Sequence, residues 1–192
     1  MIAILKYNAG NVTSVKNAVE RLGYTCIITD LEEEIVKADK VIFPGVGEAS
    51  TAMNYLIAKS VDVLLKNLKQ PVLGICLGQQ LMCKHSEEGN TTCLGIFNTL
   101  VKKFPPIELV PHMGWNNLTQ VKGKLFSGIT DIDDVYFVHS YYAEIGNQTA
   151  ATCNYILPFS AAMQQDNFYA TQFHPEKSGS VGERILQNFL SL

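Results

Sequence analysis

The first half of the chain alternates between short apolar runs and segments in which apolar residues recur every three or four positions. The short runs predict buried strands, at residues 2–7, 25–29, 40–43 and 72–75. The other segments predict helices at residues 12–22, 49–58 and 61–69. Two further helices are expected, one that starts at residues 32–34 and one that begins after Cys76. Asn11 stands where the first helix needs its N-cap. This alternation favours a mostly parallel sheet with helices on both faces.

The second half shows a different pattern, with several strand-like segments joined by short connections. Strands are predicted at residues 97–104, 117–122, 135–144, 150–155, 161–165 and 168–173. Short connections between strands favour antiparallel pairing, so we expect these strands to extend the same sheet. A final amphipathic helix is predicted at residues 180–190. The expected fold is therefore a single α/β domain, residues 1–192.

Composition and charge exclude several classes of function. The chain of 192 residues is 47% hydrophobic and has a net charge of −3, which suits a soluble domain and gives no reason to expect nucleic acid or an anionic membrane as partner. No signal peptide is recognisable at the first strand, so a cytoplasmic location is expected. The five cysteines include no C-x-x-C pair, and the four histidines lack metal-ligand spacing. We therefore expect no disulfide framework, no metal site and no other cofactor.

The segment from Gly74 to Gly78 carries the strongest chemical signal. An apolar strand ends here, and Cys76 lies between two glycines where a helix is about to begin. This is the pattern of a sharp strand-to-helix turn that exposes a nucleophile at its tip. The amino end of the new helix lies beside the sulfur and favours the thiolate. The pattern predicts that Cys76 is a nucleophile.

A nucleophilic thiolate needs a base and a group that orients the base. His174-Pro175-Glu176 follows the strand predicted at residues 168–173, and residues two apart in extended chain point to the same side. We predict that His174 exchanges the proton and that Glu176 orients its imidazole. For the oxyanion, the expected donors are the backbone N–H groups of Leu77 and of Val46, the latter in the glycine-rich segment Pro44-Gly45-Val46-Gly47.

Each motif also has a structural interpretation. A Gly-x-Cys-x-Gly turn can hold a buried cysteine, His-Pro-Glu can be a surface turn, and Pro-Gly-Val-Gly can be a plain loop. The three motifs occur together, each directly after a predicted strand, and this combination favours catalysis.

The motifs together resemble the class I glutamine amidotransferases, in which a Cys-His-Glu triad hydrolyses the side-chain amide of glutamine. The signature residues are Gly74-Ile75-Cys76-Leu77-Gly78-Gln79-Gln80 and His174-Pro175-Glu176. The whole chain is also similar to the glutaminase subunits of imidazole glycerol phosphate synthases. That similarity is carried by Asn8-Ala9-Gly10-Asn11, Pro44–Gly47, Pro111-His112-Met113-Gly114-Trp115-Asn116, Tyr136-Phe137-Val138-His139-Ser140-Tyr141 and His174-Pro175-Glu176-Lys177-Ser178. Ala9 departs from the pattern, which has proline there.

The resemblance implies the single-domain class I glutamine amidotransferase (flavodoxin-like) fold and an activity. Ammonia released from glutamine would pass to a (β/α)8-barrel cyclase subunit, in a heterodimer that serves histidine biosynthesis. The implied substrate-binding residues are Gly47, Gln80, His139, Ser140 and Tyr141. The implied partner interface includes Asn11, Trp115, Tyr136 and Lys177.

Several alternatives stay open at this level. Tyr136 suits the interface or the monomer core, and Lys177 could pair with an acid on a partner or stay solvated. The chain could also be the amidotransferase subunit of another pathway such as anthranilate synthesis, a stand-alone cysteine hydrolase, or a binding module without activity. The segment Pro111–Asn116 argues against another pathway, and the complete triad argues against the last alternative.

Overall fold

The computed structural model describes all 192 residues and contains six α-helices and thirteen strands. The helices are α1 (Val12–Arg21), α2 (Glu32–Lys37), α3 (Ala49–Ala58), α4 (Val61–Asn67), α5 (Leu77–Met82) and α6 (Gly179–Leu190). The strands are β1 (Ile2–Leu5), β2 (Cys26–Thr29), β3 (Lys40–Gly45), β4 (Val72–Cys76), β5 (His85–Ser86), β6 (Thr91–Thr92), β7 (Leu100–Lys103), β8 (His112–Asn117), β9 (Asp134–His139), β10 (Tyr141–Ala143), β11 (Thr149–Tyr155), β12 (Leu157–Gln165) and β13 (Phe168–Thr171).

The central sheet has seven strands in the order β11-β12-β13-β4-β3-β1-β2. Strands β2, β1, β3, β4 and β13 run parallel, whereas β12 and β11 pair antiparallel at one edge. Every residue of β1 and β4 is buried, as expected for strands covered on both faces. The predicted α/β fold with a mostly parallel sheet is confirmed.

The two faces of the sheet carry separate cores. In β1, Ile2 and Ile4 pack into one core and Ala3 and Leu5 into the other, because successive side chains of a strand point to opposite faces. The first core includes the buried faces of α1 and α6, and the second includes those of α2, α3, α4 and α5. Helices therefore lie on both faces, as predicted.

The prediction that all later strands extend the central sheet is wrong in part. Of strands β5 to β12, only β11 and β12 do so, and β13 joins the sheet in parallel with β4 and not as an antiparallel extension. Strands β10, β7, β5 and β6 form a separate four-stranded sheet, and β8 pairs with β9 alone. Alternating apolar positions indicate that a segment is a strand but do not specify its partner, which is fixed by tertiary packing.

Two strand boundaries also differ from the predictions. The strand expected at residues 117–122 is wrong, since β8 ends at Asn117 and only a single bridge, Thr119 to Thr152, follows. The segment 135–144 is two strands, β9 and β10, separated at Ser140. The break allows β9 to pair with β8 while β10 pairs with β7.

The topology brings the predicted chemistry to one edge of the sheet. Strand β4 lies between β3 and β13, and Gly45 at the end of β3 is in register with Cys76 at the end of β4. Strand β13 ends at Thr171, shortly before His174. The nucleophile, the glycine-rich loop and the histidine therefore meet at the carboxyl ends of adjacent parallel strands, where α/β sheets bind ligands. Separately, the chain has no helix with the length and hydropathy required to traverse a bilayer.

Candidate active site

Cys76 lies at a strained turn between β4 and α5. Its φ is 55° and its ψ is −106°, a conformation that is rare for a residue with a side chain. The neighbouring glycines make the turn possible, since a Cβ on Gly78 would lie 2.0 Å from the carbonyl oxygen of Phe43. A Cβ on Gly74 would lie 2.9 Å from Met82 Sδ. The geometry is that of a nucleophile turn, as the sequence predicts.

His174 and Glu176 form a buried pair beside this turn. The imidazole Nδ1 lies 2.8 Å from Glu176 Oε1, and the two side chains are 1% and 0% exposed. Because a carboxylate can only accept, Nδ1 carries the proton and Nε2 is the free, basic nitrogen. Nε2 is buried and has no hydrogen-bond partner among the protein atoms. This is the tautomer that a general base requires.

The electrostatics of the pair favour a charged imidazole. Burial by itself lowers the pKa of His174, but the nearby sulfur of Cys76 and the carboxylate of Glu176 raise that pKa to about 10. Cys76 and His174 are therefore close enough to interact, and the protonated imidazole of His174 is favoured.

Asn11 contributes to this pair in a way that the sequence did not predict. It occupies the N-cap position of α1, but its backbone is left-handed (φ 75°) and its side chain makes no capping hydrogen bond, so the predicted capping role is wrong. The side-chain Nδ2 instead donates to Glu176 Oε1, the oxygen that also accepts from His174. The capping contact is replaced by a contact with the buried carboxylate of the site.

Ser178 fixes the position of the histidine loop. Its hydroxyl donates to the carbonyl oxygen of His174 at 2.7 Å and accepts from the backbone N–H of Tyr136 at 2.9 Å. The N–H of His174 donates to the carbonyl oxygen of Tyr136 at 2.9 Å. These three bonds join the loop to β9, which holds the imidazole in place although it follows the end of β13.

A cavity of about 360 Å³ opens in front of Cys76. All five predicted substrate-binding residues line it: Gly47, Gln80, His139, Ser140 and Tyr141. Both residues predicted to supply oxyanion donors, Val46 and Leu77, also line it. Leu77 is buried, whereas the Val46 side chain is 38% exposed and Gly47 has a φ of 127°, within the region that favours glycine. The structure thus brings the predicted oxyanion and substrate residues together around Cys76.

Glu88 also lines the cavity and was missed by the sequence analysis. It is the only acidic or basic side chain among the lining residues apart from the neutral His139. One carboxylate oxygen accepts from the N–H of Ala49 at 2.8 Å, and burial raises the pKa of Glu88. No local motif surrounds it, since it lies in a short turn between β5 and β6 that reaches the cavity only through tertiary packing.

His139 lies in the cavity wall as a neutral imidazole. Its Nδ1 must donate to the carbonyl oxygen of Tyr141 (2.8 Å), so its Nε2 accepts from His112 Nδ1 at 3.0 Å. Burial lowers the pKa of His139 to about 3 and that of His112 to about 4. His112 also stacks on Tyr155 with ring centroids 4.0 Å apart. The structure therefore gives the pair a packing role and lets His139 contact the cavity.

The residues expected at a partner interface lie around β8, β9 and the histidine loop. Trp115 is 57% exposed and packs edge-on against the half-buried Tyr136, with which it is in register, at a centroid distance of 5.9 Å. Lys177 is exposed on the turn that follows His174. Asn11 is half-buried and bonded to Glu176. Tyr136 is thus not a core residue. No group of three or more potential metal ligands occurs in the chain.

Comparison with known proteins places the chain in a family. Residues 3–192 match the family described as "Glutamine amidotransferase class-I", so the chain belongs to the class I glutamine amidotransferases. The "Imidazole glycerol phosphate synthase subunit HisH" of Bacteroides thetaiotaomicron is 59% identical, over 100% of this chain and 99% of that relative. The HisH protein of Yersinia pestis is 46% identical over the same shares of the two chains.

A structural comparison supports the same fold. A solved structure described as PurLQS from Thermotoga maritima has a TM-score of 0.76 to this chain, and the match covers 99% of this chain and 97% of the other. The two sequences are 14% identical, so this likeness bears on the fold alone.

Proposed function

We propose that this chain is the glutaminase subunit of an imidazole glycerol phosphate synthase. It hydrolyses glutamine to glutamate and ammonia and supplies the ammonia to a cyclase subunit in histidine biosynthesis. The observation that carries the catalytic part is the buried His174–Glu176 pair beside Cys76 at the mouth of a cavity. The choice of this synthase is supported by the 59% identity to a HisH protein along the whole chain.

The mechanism follows from the tautomer and the charges of the site. The Cys76 thiolate attacks the side-chain amide carbon of glutamine, and the backbone N–H groups of Leu77 and Val46 donate to the oxyanion that forms. The His174 imidazolium gives its Nε2 proton to the departing nitrogen, which leaves as ammonia. His174 then takes a proton from water as the water attacks the thioester, and glutamate is released. Glu176 stabilises the imidazolium in each half-reaction.

The lining of the cavity suits the amino-acid end of glutamine. The Glu88 carboxylate is the natural partner for the substrate's α-ammonium group, because it is the only carboxylate among the lining side chains. Gln80 lies one helical turn from Cys76 and presents polar atoms to the same space. Gly47, His139, Ser140 and Tyr141 complete the pocket with backbone and side-chain polar groups.

The partner in this proposal is a (β/α)8-barrel cyclase that binds the surface formed by Trp115, Tyr136, Lys177 and the adjacent Asn11. Exposed tryptophan is a common energetic anchor of protein interfaces. A partner is also required chemically, since ammonia released into neutral water is protonated and loses its nucleophilicity. The proposal places the complex in the cytoplasm, where the five free thiols stay reduced.

The test is to mix the purified chain with a cyclase partner and to measure glutamate release with and without the cyclase ligand. We expect release to be low for the chain alone and to rise with the liganded partner. Cys76→Ala should abolish release while imidazole glycerol phosphate synthesis from free ammonia continues. Cys26→Ala is the matched control, because Cys26 is a half-buried cysteine that is distant in sequence from Cys76. Full glutamate release by Cys76→Ala would refute the nucleophile, and equal release with and without the partner would refute the coupling to a cyclase.

A further inference from the structure

Gln172 is a completely buried amide whose side chain reaches the sulfur of Cys76. It lies just after β13, is 0% exposed, and is two residues before His174. Its side-chain Nε2 lies 3.7 Å from Cys76 Sγ. Nothing in the mechanism described above requires an amide at this position, and no sequence motif singled it out.

The orientation of this amide is determined by its neighbours. The carbonyl oxygen of Tyr141 can only accept, so the Gln80 side chain must turn its Nε2 toward it, at 3.0 Å. The same Nε2 of Gln80 lies 3.0 Å from Gln172 Oε1 and donates its second hydrogen there. Gln172 therefore has its oxygen toward Gln80 and its NH2 group toward Cys76. A flipped Gln172 amide would place two donors together and is excluded.

The sulfur has a different neighbour in its protonated state. The Cys76 thiol can donate to the carbonyl oxygen of Val138, 4.0 Å away. That carbonyl favours the thiol, because its partial negative charge repels a thiolate. The Gln172 N–H favours the thiolate, since a hydrogen bond strengthens when its acceptor is charged. The two contacts act in opposite directions on the same atom.

We propose that Gln172 is a further residue of the glutaminase site, which donates a hydrogen bond to the Cys76 thiolate and is held in that orientation by Gln80. Gln80 then has two tasks, since it faces the substrate cavity and also aligns the donor to the nucleophile. The proposal rests on the assignment of Cys76 as the nucleophile.

The test measures the reactivity of Cys76 directly. The full chain is treated with iodoacetamide from roughly pH 5 to pH 9, and peptide mass spectrometry follows each cysteine separately. Gln172→Met keeps the length of the side chain and removes the donor. We expect the pH midpoint of Cys76 alkylation to move up by about one unit and alkylation at pH values below that midpoint to slow by up to about tenfold, the effect of losing one hydrogen bond to a charged group. Cys26 is the internal reference, and at each pH its alkylation rate should be the same in the wild type and the variant.

Two further variants make the result decisive. Gln79→Met makes the same change at another fully buried glutamine, which donates to the Ser160 carbonyl oxygen and makes no hydrogen bond to Cys76, so it should leave the Cys76 profile unchanged. Gln172→Asn keeps a buried amide but is too short to reach the sulfur, and it should act like Gln172→Met. If Gln172→Met does not fold, the profile of Gln172→Asn tests the proposal. A wild-type profile in either folded Gln172 variant overturns the proposal.

The same experiment separates this inference from the proposed function. Alkylation requires no glutamine turnover, so a shifted profile supports the contact even if Cys76→Ala still releases glutamate. An unshifted profile removes Gln172 from the site but leaves the triad untouched.

Discussion

The contact of Asn11 with Glu176 leads us to predict that Glu176→Gln loses only part of the activity. In a triad, an amide in place of the carboxylate can flip, donate to the histidine and impose the wrong tautomer. Here Asn11 Nδ2 donates to Glu176 Oε1, and this contact favours a glutamine that places its carbonyl oxygen at that position and its NH2 group at the Oε2 position. Oε2 is buried and has no partner, so the NH2 group displaces no existing contact. The His174 tautomer is preserved, while the negative charge is lost and the NH2 group is left without a hydrogen-bond partner.

The magnitude follows from the change in hydrogen-bond type. A buried hydrogen bond to a charged group contributes about 1.5–3 kcal/mol and a neutral one about 0.5–1.5 kcal/mol, so the charge itself is worth about 1–2 kcal/mol. That difference corresponds to a loss of about 5- to 30-fold in kcat/KM for glutamate release. His174→Ala removes the acid and base altogether and should cost about 100- to 10,000-fold.

The assay is steady-state glutamate release by the chain in complex with its cyclase partner. Glu183→Gln makes the same substitution at a partly exposed carboxylate on α6 and should be silent. Asn11→Ala combined with Glu176→Gln frees the amide to flip, so the double variant should lose far more than the product of the two single losses. The reasoning is refuted if Glu176→Gln alone is as damaging as His174→Ala, or if the double variant is merely additive.

Three further predictions concern stability and assembly. Gly78→Ala should disrupt the turn at Cys76, because the added Cβ would lie 2.0 Å from the Phe43 carbonyl oxygen. The free energy of unfolding measured by urea titration should fall by several kcal/mol, and an unchanged urea midpoint would contradict this. Trp115→Ala should weaken binding to the cyclase at least tenfold in calorimetry while leaving the melting temperature within a few degrees, and unaltered affinity would remove Trp115 from the interface. The lowered pKa values of His112 (about 4) and His139 (about 3) make stability full above about pH 6.5 and progressively lost as the pH falls toward those values, because the unfolded chain binds more protons. His174, whose pKa is raised, is protonated in both the folded and the unfolded state over this acid range and does not contribute to the loss. His112→Phe should therefore make stability fall less steeply at acid pH, and an equally steep fall would refute the role given to His112.

The parts of the site that depend on local sequence could be predicted. The turn at Cys76 needs small residues on both sides. The predicted pairing of His174 with Glu176 occurs, but it forms across the short 3-10 helix Pro175–Lys177 and not along extended chain as expected. The contacts between distant segments could not be predicted in this way. Asn11 and Glu176 are 165 positions apart, and their contact depends on how α1 packs beside the histidine loop.

The same reason explains the errors in the sheet. The central parallel strands are uniformly apolar, so their burial is visible in the sequence. Strands β5 to β10 are short and half-exposed, and their partners depend on breaks such as the one at Ser140, which no local pattern marks. Gln172 was not predicted from the sequence, because a buried glutamine is informative only once its partners are known.

Strand β9 relates the chemistry of the site to its exposed surface. The carbonyl oxygen of Tyr136 accepts from the N–H of His174, and the carbonyl oxygen of Val138, two residues along, faces the Cys76 sulfur. The paired strand β8 places the exposed Trp115 directly opposite Tyr136. A protein that binds to Trp115 therefore contacts the two-stranded sheet β8–β9. The backbone of β9 is hydrogen-bonded to the loop that carries His174 and also lies against the sulfur of Cys76. Since Val138 favours the thiol and Gln172 the thiolate, a small displacement of β9 would change the balance between them, and through the bonds of Tyr136 it would also shift the loop that carries His174.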